Sequence, residues 1–563
     1  MPKLSPVVFA AAIAVLYAPQ ACATAQAEDT ARTPYGSYLA ARQAATNHDM
    51  VDAGKLYRAT LADDPNNIDL LNRAFLYTAA AGDVDAAEPL ALRIIKTDPQ
   101  NRSARMALAV AAIRHGDFAA ARMHIAGSGR GPFQALTLTL LDAWAAQGAG
   151  DIATALKDTD DIAAQGGTAA LAALHKALVL DLADRMDEAE NAYKSAIALS
   201  HDDPRAVDAF GRFLVRAGRS DEAKAYYQKY LADPGLEPLA KAALTALDKG
   251  RKTERMVSSA RDGAAESLFG IASMLATDNT ADFAILYLRY ALYLRPDFDL
   301  AKIILADRFE ALKRYEDAIA VYQSIKQDSP YGAAAAVQAA SDYSRIDQPE
   351  KAVQELKDMA RRRPDDLDVW TALGDAYRAT EDWANAANAY DKAIGALGTP
   401  SAKDWPLYYA RGVARERTGN WTAAESDLQT ALKLSPDQAS VLNYLGYTWV
   451  DHGVNLGQAL SMLERARTLS PFDGYIVDSV GWAYYKLGRY KDAARTLEDA
   501  VLLVPGDPTI NDHLGDAYWK VGRKLDAHFQ WSHALAFGPD DKDKPAIEKK
   551  LQDSLSVAEA PGG

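Results

Sequence analysis

The sequence holds a single cysteine, Cys22, among 563 residues. A fold built downstream of it has no disulfide framework and no cysteine-ligated zinc, so it must rest on packing. Positive charge is also short. The chain carries 62 lysines and arginines against 76 aspartates and glutamates, a formal charge of −14. Nucleic acid, whose phosphates need a basic face, is a poor match for such a surface; basic or neutral proteins suit it better. No stretch alternates polar and apolar residues as strands do, which makes the class all-α. The one sustained apolar run, Val7 to Ala18, is too short to span a bilayer. Catalytic signatures are missing as well: there is no Gly-x-Ser-x-Gly elbow, no His-Glu-x-x-His and no phosphate loop. The glycine-rich stretch Gly127 to Pro132 follows no strand and lacks the lysine of a phosphate loop, so it reads as a connector. His528 and His533 are five apart, not the three or four that would share a helix face. His513 follows Asp512 but has no nucleophile at a recognisable spacing. The expectation is a non-enzyme with no catalytic residue, cofactor or metal; an enzyme with an unrecognised site is the remaining alternative.

What is present is a repeat. At a spacing of 34 residues the end of the chain aligns with itself. Leu514-Gly515, Tyr518, Gly522, Ala527, Trp531, Ala534 and Pro539 form one row, and Val480-Gly481, Tyr484, Gly488, Ala493, Leu497, Ala500 and Pro505 the row before it. The preceding row runs from Leu445-Gly446 and Trp449 through Ala459 and Ala466 to Pro471, with one residue inserted after Gly453. Small residues at the glycine and first alanine positions let two antiparallel helices approach, a large residue fills the gap between them, and proline closes the second helix. This pattern resembles the tetratricopeptide (TPR) repeat. Fainter copies extend it back to residue 34, giving about 14 units, and the resemblance implies a right-handed TPR α-solenoid that holds other proteins.

The organisation expected from the register is as follows. Residues 1–27 form a signal peptide, with Lys3 before the apolar run and small residues after it; the preferred cut follows Ala27. The chain is then exported, to a periplasm. Cys22 leaves with that segment; its lipidation, which would give an outer-membrane lipoprotein, is the alternative, although Pro19-Gln20-Ala21 is a poor lipid-attachment signal. Residues 28–237 hold an N-terminal solenoid of degenerate repeats after a short polar lead-in. Residues 238–264 break the register with Lys249, Arg251, Lys252, Arg255 and Arg261, and read as a basic elbow between two halves. Residues 265–541 hold the C-terminal solenoid. In it Arg361-Arg362-Arg363 precedes Pro364 and complements a helix dipole. Residues 542–557 form a capping helix, in which Ile547, Leu551 and Leu555 share an apolar face while Glu548, Lys549 and Lys550 lie on others. Residues 558–563 are a disordered tail.

The first helix of each unit lines the concave face, with its fifth, ninth and twelfth positions inward. For the last three units those positions read Asn443, Tyr447 and Val450; Asp478, Trp482 and Tyr485; Asp512, Asp516 and Trp519. Eight of the nine tryptophans lie beyond residue 366, so this half is rich in aromatic rings as well as sharper in its repeats. Rings give large contact area at low entropic cost, and carboxylates capture lysine, arginine or backbone amides. The expected ligand is an extended peptide or a helix of basic character.

Beyond the generic repeat, Asn443 to Tyr447, Gly474 to Trp482 and His513 to Asp516 resemble the C-terminal repeats of exported bacterial TPR proteins. Tyr35 to Ala40 and Leu292 to Pro296 look like features of alphaproteobacterial members of that group. Some members are outer-membrane lipoproteins that bring cell-wall hydrolases to a carboxyl-terminal processing protease. The resemblance implies an adaptor role with that protease and its substrates as partners. The alternative is an assembly factor for outer-membrane secretion, pilus or exopolysaccharide export.

Overall fold

The computed structural model describes residues 34–129, 131–164, 167–233, 235–251, 253–275 and 280–558. The expected signal peptide, Cys22, the polar lead-in, Lys252 and the tail beyond Ala558 lie outside them. Among the described residues every regular element is a helix, and the helices come as antiparallel pairs from Pro34–Thr46 and Met50–Asp63 to Pro508–Lys520 and Lys524–Ala536. None of them is long and apolar enough to cross a membrane.

Local chemistry sets the helix ends. Asp473 accepts from the amides of Tyr475 and Ile476 to start the Gly474–Lys486 helix, and Asp507 does the same for Ile510 ahead of Pro508. Gly522, at φ 88°, makes the left-handed turn between the two helices of the last pair. The small-residue positions are where helices touch. A Cβ on Gly515 would stand 2.5 Å from the indole nitrogen of Trp531, and one on Gly481 would stand 2.6 Å from Cγ of Leu497. Arg361 and Arg362 occupy the last turn of the Pro349–Arg362 helix, where the dipole favours cations.

The chain divides into two compact units, residues 1–346 and 347–563. The division differs from the elbow expected at 238–264, which lies inside the first unit. There the Ala260–Met274 helix packs on the first helices of three repeats, Arg102–His115, Pro132–Gly148 and Ala169–Leu182. The Ala281–Leu294 helix packs on Ile68–Ala80 and Arg102–His115. The inner face of the N-terminal repeats is thus covered by later helices of the same chain. Gly263 sits against the Trp144 ring so closely that a Cβ would enter it. Trp144 is fully buried and donates from Nε1 to Nδ1 of His175 at 3.1 Å. Burial pushes His175 down to about 3, which keeps it a neutral acceptor. Glu266, also buried, takes Arg205 Nε at 3.1 Å and Arg295 Nη1 at 3.2 Å. Of the expected basic elbow, Arg255 is bound to Asp184 and stands 3.5 Å from Asp181, an intramolecular role that takes it out of any docking patch.

Candidate functional site

In the second unit the first helices Ala439–Asp451, Gly474–Lys486 and Pro508–Lys520 stand side by side, and the Lys544–Ala558 helix follows the last pair. Their inward positions form one continuous run of side chains, and the expected residues divide into two chemical kinds within it.

The carboxylates are already engaged. Asp478 is buried, with its two oxygens 2.9 and 3.1 Å from Nδ1 of His513 on the next first helix. Burial alone would lower the imidazole, but Asp478, with Asp512 and Asp516 behind it, raises it above its ordinary value. Asp512 and Asp516 share a single cation. Lys550 places Nζ 2.8 and 2.9 Å from the Asp512 oxygens and 2.7 Å from Asp516 Oδ1. Trp531 donates to Asp516 Oδ1 at 3.1 Å. Burial and the neighbouring Asp516 push the Asp512 carboxyl up, and Lys550 pulls it back down. Lys550, expected on a face of the capping helix other than the apolar one, is turned inward: Ile547 is buried beside the last pair, and this seats Lys550 one turn on, over the two acids.

The rings remain partly open. Trp482 is stacked between His513, with centroids 3.9 Å apart, and Tyr485, at 4.8 Å. Tyr485 meets Tyr490 edge-on at 5.4 Å. Trp519 packs on Trp531 at 5.5 Å, and Lys524 lies over its ring at 3.4 Å. Lys486 stands over Trp482 and Lys520 over Tyr490. Burial, with nearby carboxylates, pushes the hydroxyls of Tyr447 and Tyr485 up to about 12, so both are donors at any ordinary pH. Asn443 is half-buried and its Oδ1 has no hydrogen-bond partner. Val450 departs from the expectation: it is fully buried in the cluster that holds Leu445, Trp449 and Leu463, together with Val480 and Ala483 of the next repeat.

His513, Lys550, Trp531 and Tyr490 belong to the site, although sequence reasoning placed none of them there. The available signal was positional. His513 lies one residue past the 34-residue equivalent of Asp478, and Lys550 lies 38 residues past Asp512. Asp478 on one first helix thus meets a base on the next, and Asp512 meets one on the terminal helix. The same rule holds in the first unit for Asp181 with Arg216 and for Glu310 with Arg345.

The tetratricopeptide-repeat family profile matches residues 73–128, 337–401, 409–474 and 481–540. These four stretches carry tetratricopeptide repeats. A TPR repeat-containing protein of Pseudomonas aeruginosa is 37% identical over 95 residues, which is 17% of this chain and 16% of that one. A general transcriptional corepressor of Dictyostelium discoideum is 29% identical over 125 residues, 22% of this chain and 9% of that one. The chain thus spans under a fifth of the length of either relative. Among solved structures, the anaphase-promoting-complex hetero-tetramer Cut9–Hcn1 is 17% identical, covering 87% of this chain and 96% of that one with a TM-score of 0.38. A TPR protein from Parabacteroides merdae is 13% identical, covering 46% and 98%, with a TM-score of 0.38.

Proposed function

We propose that the protein is a non-catalytic TPR scaffold that binds a protein partner on the concave face of its C-terminal repeats. One observation carries this reading: Tyr447, Trp482, Tyr485 and Trp519, from three successive first helices, stand half-buried along one face instead of being sealed in a core. Partly exposed aromatic rings are among the side chains that contribute most at protein interfaces, because they bury much area and lose little rotamer freedom. The structure refines the ligand expected from the sequence. Asp478, Asp512 and Asp516 are each paired within the chain, so the rings and the lysines above them are what a partner meets first.

The finer reading is an exported adaptor, periplasmic or anchored at the outer membrane, that links a carboxyl-terminal processing protease to cell-wall hydrolase substrates. It is supported by the resemblance of residues 439–541 and by the leader-like N-terminus. Cross-linked capture from periplasm, with the chain lacking residues 1–27 as bait, tests it. A protease recovered together with a hydrolase, both lost with Trp482→Ala plus Trp519→Ala, is the expected result. Recovery of secretion, pilus or exopolysaccharide-export components without a protease would replace the adaptor reading by the assembly-factor one.

A further inference from the structure

The last helix does more than cover an apolar end. Among the described residues, Ile547, Leu551 and Lys550 tie it to the second unit. Its neighbours Glu548, Lys549, Gln552 and Asp553 are exposed. Asp512 and Asp516, one helical turn apart on the same helix, would repel each other in a partly buried place without the single ammonium that bridges them. The acidic end of the concave face therefore requires a cation, and it obtains one from a short helix with an Ile-x-x-Lys-Leu pattern. Any helix presenting an aliphatic residue three positions before a lysine has the same chemistry.

We propose that the Lys544–Ala558 helix is an internal, displaceable occupant of the acidic end of this face, and that a lysine-bearing amphipathic helix of a partner takes its place. The proposal rests on the concave face being the binding surface. It explains how an acidic groove can be satisfied in the isolated chain and still recognise a basic ligand. Displacement uncovers Asp512, Asp516 and the Trp531 ring together, since all three are met by Lys550. A partner lysine then restores the same three contacts.

The test uses the full chain and a fluorescein-labelled synthetic peptide of residues 542–558. The wild-type chain is compared with a loosened one, Ile547→Asp plus Lys550→Gln, whose helical content is checked by circular dichroism. The loosened chain is expected to bind the peptide at least ten-fold more tightly than wild type. Binding is expected to fall back when Asp512→Asn and Asp516→Asn are added, or when the peptide carries Lys550→Gln. Equal binding by the wild-type and loosened chains, both folded, overturns the proposal. Should the loosened chain unfold, hydrogen exchange on wild type decides. Amides of 544–558 must exchange at least ten-fold faster than those of 508–520, and equal protection overturns the displaceable helix. The two readings fail separately. Partner capture that is the same for wild-type and loosened chains removes the internal occupant and leaves the concave face as binding surface. Peptide exchange as expected, with no effect of Trp482→Ala plus Trp519→Ala on captured partners, removes the aromatic surface and leaves the helix exchange standing.

Discussion

The two units use the same helical pair to opposite ends. In the first unit the inner face of residues 68–182 is covered by the chain's own Ala260–Met274 and Ala281–Leu294 helices. In the second, the inner face of residues 439–520 meets neighbouring repeats and one terminal helix, and its rings stay half-open. Two tryptophans make the contrast concrete. Trp144, on a first helix of the first unit, is 0% exposed, with its N–H bonded to a buried neutral imidazole. Trp482, on a first helix of the second, is half-buried, with its ring between an imidazole paired to a carboxylate and a tyrosine. The repeat pattern fixes the hairpin; the composition of the inward face decides whether that face becomes core or surface.

The largest expected effect breaks the comparison at these tryptophans. Trp144→Ala removes a fully buried ring and strands His175, and should cost about 3–5 kcal/mol of the first unit's stability. Trp482→Ala should cost no more than about 1–2 kcal/mol, because part of that ring already faces solvent. Calorimetry on both variants checks this. A Trp482→Ala loss as large as that of Trp144→Ala would make the second inner face a core as well.

Next in size is Glu266→Gln. It leaves Arg205 and Arg295 without their shared carboxylate where Glu266 is only 4% exposed. Breaking a buried pair on one side should cost about 3 kcal/mol, read as loss of protection across 260–294 in hydrogen exchange, with the second unit unchanged. Lys550→Ala is smaller. It should lower the second unit's stability by about 1 kcal/mol, because the pair is partly solvated and the two acids relax toward water. Added salt should reduce the difference between this variant and wild type, since it screens the repulsion left behind.

Much of this was legible in residue order. Gly481 against Leu497 and Gly515 against Trp531 are the contacts that the 34-residue register implies, and the helix starts at Asp473 and Asp507 follow from side-chain capping. The covering of the first unit was less visible, although a trace of it exists. The Arg102–His115, Pro132–Gly148 and Ala169–Leu182 helices bury Met106, Leu108, Val110, Leu138, Leu140, Leu178 and Leu180, residues spread round the helix and not confined to one stripe. A helix apolar all round is enclosed on all sides. What no local pattern discloses is which distant segment does the enclosing, because contact between residues 263 and 144 depends on how successive hairpins stack. The acid–base rule between successive first helices was hidden for a different reason. Single residues such as His513 acquire partners only once the repeat phase of both helices is known to within one position.

The smallest effect sharpens the comparison through pH, because the two units should respond with opposite sign. His175 has a folded value far below the ordinary imidazole value of about 6.5. Its contribution is complete above about 6.5 and is lost as pH falls toward its folded value of about 3, since the unfolded chain takes up a proton that the native site refuses. His513 has a raised folded value, so its contribution is complete below about 6.5 and is lost as pH rises through that raised value. Asp158 and Asp342, raised to about 6 by burial, oppose His175 in the first unit on the acid side. The clean readout is therefore the difference between wild type and a single variant. His175→Gln should flatten the first unit's loss of stability below pH 6.5, and His513→Gln should flatten the second unit's loss above it. Hydrogen exchange resolved by segment between about pH 5 and 9 separates the two. If His513→Gln leaves the alkaline slope of residues 474–520 unchanged, the Asp478–His513 pair does not carry its charge in the folded state, and the stack under Trp482 is held by ring packing alone.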